Sequence, residues 1–167
     1  MASVHLDKEL NMRRDSIPSH LSSIAFEFFY WFSRFEFALK ENGYLKSHQA
    51  GANAEPGWDA FERRWRAEYT LSNAAESLLQ LAPSRQVVSE HGELRWAVVE
   101  TSRSPSDLAK IIRLLKVVRN NLFHGGKHGS EDWDNQERTE LLLESGLSIL
   151  MELAKLSGIE ADYERYY

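Results

Sequence analysis

The sequence predicts an all-α protein, an antiparallel helical bundle of four to five helices with a small β-hairpin insertion near 85–99. Three observations predict it. Apolar residues recur at steps of three and four along several long stretches. Helix start and stop signals punctuate those stretches at Pro18, Asn42-Gly43, Pro83, Ser104-Pro105, Gly125-Gly126 and Gly158. Strand-like patterning is confined to one short segment around a glycine turn. The 167 residues, 43% hydrophobic and 27% charged, suffice for one core. They divide into a flexible N-terminal segment (1–15), a helical domain (16–158) and a C-terminal tail (159–167).

Ser16-Ile17-Pro18 opens the first helix, which runs to Asn42-Gly43 with proline near its start and glycine beyond its end. Leu21, Ile24, Phe28, Trp31, Phe35 and Leu39 form its apolar stripe, and Phe26, Phe29, Tyr30 and Phe37 widen it around most of the circumference. Such a helix either threads the middle of a bundle or contributes to a subunit interface. A loop over 43–57 leads to a second helix expected from Trp58 to Ala82, stopped by Pro83. Gln86-Val87-Val88 and Leu94 to Val99 flank Glu90-His91-Gly92-Glu93 and read as a hairpin. Ser104 as N-cap, Pro105 in the first turn and Asp107 as the acidic partner start the next helix. Its core face is Leu108, Ile111, Ile112, Leu115, Val118 and Leu122, and Gly125-Gly126 ends it. A last long helix begins near Asp134, with Glu137 completing a capping box, and runs to Gly158; the tail from Ile159 has no clear period.

Several classes of function are excluded at once. Zero cysteines remove a disulfide framework, a thiolate metal site and a cysteine nucleophile. No run of 18 apolar residues exists and the N-terminus lacks a signal-peptide pattern, so no membrane association is expected and the chain reads as cytoplasmic. The net charge of −5 conceals a segregation: Arg103 to Lys127 holds six cations against Asp107 alone, a net +5, so the remainder carries −10. Acidic residues from Glu131 to Glu144 follow directly.

The basic segment closes on Arg119-Asn120-Asn121-Leu122-Phe123-His124-Gly125-Gly126-Lys127-His128. On a helix Asn120 and His124 share a face, and the long Arg119 side chain swings across to them, so the three can converge on one anion. The pairs Arg14–His20 and Arg85–His91 have similar spacing, but neither sits at the end of an amphipathic helix.

Arg119, the polar Asn120 behind it and His124 resemble the R-x(4–6)-H motif of the HEPN superfamily, the helical domains of bacterial toxins, defence systems and RNA-cleaving effectors, over about residues 17–157 and with an Apea-like flavour. The resemblance implies a metal-independent endoribonuclease, a toxin or defence effector, whose site is composite at a homodimer interface. His124 would move the proton, Arg119 would stabilise the phosphorane-like transition state and Asn120 would orient ribose or phosphate. A single histidine does not readily serve as base on one side of an in-line displacement and acid on the other, and a two-fold axis supplies the second. Lys110, Arg113, Lys116 and Lys127 would line the approach of the RNA. An antitoxin or a nucleotidyltransferase is the implied partner, and no cofactor is expected.

Glu36 projects among Ala25, Phe29, Phe32 and Leu39, where an isolated carboxylate is costly and calls for a cation. It either orients Arg119 or His124, or pairs structurally with Arg34, Lys40 or another arginine, or is simply exposed beside Lys40. His128 is a second acid or, with His124, half of a metal pair that the two glycines would misalign. The five tryptophans read as core or interface anchors rather than base-stacking platforms. Arg119 and His124 also fit a plain helix terminus, cation and cap at the negative end of the dipole. Two other functions therefore stand beside the ribonuclease: a non-catalytic HEPN module binding nucleotide, nucleic acid or protein, and a structural helical interaction subunit.

Overall fold

The computed structural model describes residues 17–123 and 135–165, in which six helices and one two-stranded antiparallel sheet make a mainly α fold. The helices are α1 (Ser19–Glu41), α2 (Trp58–Trp65), α3 (Asn73–Leu81), α4 (Asp107–Phe123), α5 (Gln136–Ser157) and α6 (Glu160–Glu164); the hairpin is β1 (Arg85–Val88) and β2 (Leu94–Ala97). Among the described residues no helix is long and apolar enough to cross a membrane.

The apolar stripe of α1 forms the centre of the core. Phe28, Phe32, Phe35, Ala38 and Leu39 are buried, with α1 packed chiefly on α5 and α6 and with Phe32 and Phe35 also against Trp58 of α2; full burial of a Phe or Leu side chain contributes about 1.5–3 kcal/mol. Phe26, Phe29 and Tyr30, on the other side, remain exposed. Among the described residues that arc is covered only in part, where Phe123 of α4 stacks on Phe29. Gly146 on α5 lets Phe28 approach: a Cβ there would lie 2.5 Å from the ring.

The stretch expected as one helix over 58–82 is two. α2 ends at Trp65, and α3 restarts behind Ser72, whose Oγ accepts the Ala75 amide at 3.2 Å. The side-chain cap and the turn at 66–69 outweigh the continuous apolar spacing. A second correction concerns α4: Ser106 rather than Ser104 caps it, accepting the Ala109 amide at 3.0 Å while its hydroxyl donates to the buried Glu62 at 2.6 Å. Likewise α5 is capped by Asn135, which accepts from Arg138 N–H at 3.0 Å; Asp134 lies outside the described residues.

The hairpin stands as expected, with Gln86 opposite Trp96 and Val88 opposite Leu94 and with Gly92 at φ +80° in the turn. The end of the chain is more ordered than its sequence pattern suggests. Tyr163 on α6 is buried against Trp31 and Phe35, and the Arg34 guanidinium donates to the carbonyls of Asp162 (2.5 Å), Arg165 (3.0 Å) and Tyr163 (3.3 Å).

Candidate functional site

α1 and α4 come together at Glu36 and Arg119. The Arg119 Nη2 lies 3.7 Å from the Glu36 Oε1, and the same oxygen accepts the Trp58 indole N–H at 2.9 Å. The guanidinium carbon sits 5.2 Å from the centre of the Phe32 ring, a cation–π arrangement. Glu36 thus takes Arg119 as its partner. Arg34 is committed to the α6 carbonyls and stacks over Phe37 at 4.8 Å. With 25% of the Glu36 side chain and 32% of the Arg119 side chain exposed, the pair is worth at most about 1 kcal/mol to stability. Its main effect is directional: the carboxylate, the indole and the phenyl ring fix where the guanidinium can go. The Arg119 Nε is buried and has no hydrogen-bond partner among the described residues.

Arg119 opens on a cleft of about 480 Å³, whose walls include Trp58 and Asn120, the carboxylates Glu36, Glu55 and Asp59, and the cations Lys46, Arg63 and Lys116. Asn120 is exposed at its rim. The Lys116 ammonium lies 5.4 Å from the centre of the Trp58 ring. Burial pushes its pKa below the ordinary lysine value and neighbouring Arg119 adds to that, while Asp59 and Glu36 pull it back up. The cleft therefore holds four cations, Lys46, Arg63, Lys116 and Arg119, against three carboxylates, with Lys46 held by Glu55 and Arg119 beside Glu36, so a small excess of positive charge faces an anion beside the buried Trp58 ring.

Of the residues singled out in the sequence, Arg119, Asn120, Lys116 and Glu36 line this cleft together. Arg113 stands on the same helix and lines the neighbouring depressions. Lys110 does not join them: its ammonium is held by Asp107 at 2.8 Å, one turn back, and it lines neither cleft. His124, Lys127 and His128 lie outside the described residues. Sequence reasoning missed Trp58 as the clamp on Glu36, and Arg63 as a further cation in the wall. The separation of 22 positions between Glu36 and Trp58 carries no periodic relation that could have joined them.

Beside the cleft, Phe29 and Phe123 stack at 5.9 Å with their planes 14° apart, bordering a shallow depression shared with Phe32, Glu36 and Arg119. Phe26, 65% exposed, and Tyr30 continue this aromatic surface along α1. Comparison with protein-family models, curated proteins and solved structures finds no match to this chain.

Proposed function

We propose that the chain is a metal-independent endoribonuclease of HEPN type, an antiparallel bundle with a hairpin insertion, acting in the cytoplasm as a toxin or defence effector. The observation that carries this reading is the Arg119 guanidinium, aimed by Glu36 and Trp58 at a cleft it shares with Lys116 and Asn120. A phosphodiester bound there meets a planar, permanently charged donor fork and a second cation. Attack of the ribose 2′-OH on the adjacent phosphate places growing negative charge on the non-bridging oxygens, where preorganised positive charge is most effective. Asn120 orients the ribose or phosphate. His124, five residues after Arg119 in the sequence, takes the 2′-OH proton, and the His124 of a second copy protonates the departing 5′-oxygen. The aromatic surface of Phe26, Phe29, Tyr30 and Phe123 borders Arg119 and supports the homodimer this division of labour requires. An antitoxin or a nucleotidyltransferase partner belongs to the same reading.

The test is incubation of the purified protein with RNA in EDTA, alongside His124→Ala and Arg119→Ala. Wild-type cleavage leaving 2′,3′-cyclic phosphate ends is expected, with a loss of about 10²–10⁴-fold on removing the proton-transferring histidine and a comparable loss for the arginine variant. Equal cleavage by all three proteins would overturn the assignment. RNA binding with no cleavage by the wild type would favour the non-catalytic module instead.

A further inference from the structure

On the opposite flank of α4 from Arg119, the hairpin encloses a second cleft of about 470 Å³, within the usual range of small-molecule sites, about 300–1,000 Å³. Three cations line it, Arg85, Arg113 and Lys116, and no carboxylate does. The guanidinium groups of Arg85 and Arg113 form no ion pair or hydrogen bond with another described residue, so their charge is available to a ligand. Glu100, the acid that feels Arg113, is fully exposed and satisfied chiefly by Ser102.

The same cleft holds an aromatic ring with an unused donor. The indoles of Trp31, Trp58 and Trp65 donate to Glu27, Glu36 and the Tyr44 hydroxyl. Trp96, half-buried in the wall, donates to no described residue. Its register partner across the hairpin is Gln86, so an indole and a primary amide stand side by side on one face of the sheet. The wall is tied in place where the Asn121 side-chain amide donates to the Ser84 carbonyl at 2.8 Å, fastening the hairpin's base to α4. Lys116 and Asn120 belong to both this cleft and the Arg119 cleft.

We propose that this second cleft binds a nucleotide, its base against the Trp96 indole and its phosphate against Arg85, Arg113 and Lys116. An indole face, an amide that can pair with a base edge and a cationic rim are together the chemistry that single-stranded nucleotides require. Because the cleft shares Lys116 and Asn120 with the Arg119 site, the nucleotide it takes is one flanking the scissile phosphate of a single RNA strand. That placement rests on the ribonuclease reading; the nucleotide site itself does not.

The experiment is fluorescence anisotropy of a labelled single-stranded 2′-O-methyl oligonucleotide, which lacks the attacking hydroxyl and reports binding whether or not the chain is a nuclease. Loss of the stacking face in Trp96→Ala is expected to weaken binding about tenfold or more, while Trp96→Phe, which keeps an aromatic face, stays within a few-fold of the wild type. Arg113→Gln should reduce the magnitude of the log affinity against log salt slope by about 0.7, one phosphate contact on a single strand. Competition with adenosine monophosphate and with inorganic phosphate separates the sources. A strand bound far more tightly than the mononucleotide assigns the site to RNA, and equal affinities assign it to a free nucleotide. Displacement by inorganic phosphate as effective as by the mononucleotide would overturn the role of the base. Unchanged affinity and salt slope in both Trp96→Ala and Arg113→Gln would overturn the site. A protein that binds the strand through Trp96 yet cleaves no RNA loses the ribonuclease reading and keeps the nucleotide site; one that cleaves RNA with an unchanged KM in Trp96→Ala does the reverse.

Discussion

Glu36 shows how one side chain can be placed by two others with little effect on stability. Glu36→Gln keeps an oxygen for the Trp58 indole but removes the charge that draws Arg119 across 3.7 Å. The expected result is a fall in kcat of about ten- to a hundredfold, the usual consequence of a misplaced group, with KM and the urea midpoint nearly unchanged. A KM change at constant kcat would instead make Glu36 a binding residue. Tyr69 provides a test of stability. Its hydroxyl is buried with no hydrogen-bond partner among the described residues, and burial, with Glu152 and Asp107 adding, pushes its pKa from 10.0 up to about 12. Below pH 10 the phenol is neutral in both folded and unfolded chains; as the pH rises from there toward 12 the unfolded chain loses its proton first, and stability falls. Tyr69→Phe should gain about 1 kcal/mol at pH 7 by removing an unpaired buried hydroxyl. It should also lose less stability on going to pH 11, both effects read by urea denaturation. The need for a cation beside Glu36 and the place of Arg119 and Asn120 near the end of an amphipathic helix were legible in sequence from helical spacing, but which cation meets Glu36 was not. Trp58 and Trp96 were not, since their roles depend on contacts made across folded elements.

At the scale of the element, the sequence signals succeeded where they were local and unopposed. Pro18, Gly43 and Gly158 bracket α1 and α5 as expected, and Gly92 marks the hairpin turn. They failed where two local signals competed. Ser104-Pro105 offered a helix start, but Ser106 was the hydroxyl within reach of both the Ala109 amide and Glu62. Trp58–Ala82 kept a helical period across a break that Ser72 re-caps. Ile159–Tyr167 gave no period because α6 is a single short turn held by Arg34 and by the Tyr163 ring, both tertiary contacts. The contact of α1 with α5 makes its own prediction. A methyl added at Gly146 meets the Phe28 ring at 2.5 Å, and that ring is fully buried. Gly146→Ala should therefore cost about 1–3 kcal/mol through overpacking, with Gly146→Ala/Phe28→Leu recovering part of the loss in the same denaturation assay.

Over the whole molecule, the basic helix within an acidic chain takes on a spatial meaning. α4 carries Arg113, Lys116 and Arg119 between two clefts, and the mild net charge of −5 describes neither. The exposed aromatics of α1 and Phe123 belong to this scale too. Phe29→Asp places a charge in the middle of that surface, and on the proposed homodimer reading light scattering should show a dimeric wild type and a monomeric variant, with little change in helicity. A wild-type protein that remains monomeric at high concentration would remove the two-copy site. The Arg34 clamp on α6 bears on how the chain comes into being. Arg34 reaches carbonyls 128 to 131 positions later in the chain, and at a synthesis rate of roughly 5–20 residues per second the first helix waits on the order of ten seconds for its cover. Through that interval the rings of Trp31 and Phe35 lack Tyr163, so the nascent chain leaves that end of its most aromatic segment open to whatever chaperone meets it first, and a chain cut before residue 160 would leave those two rings without that contact.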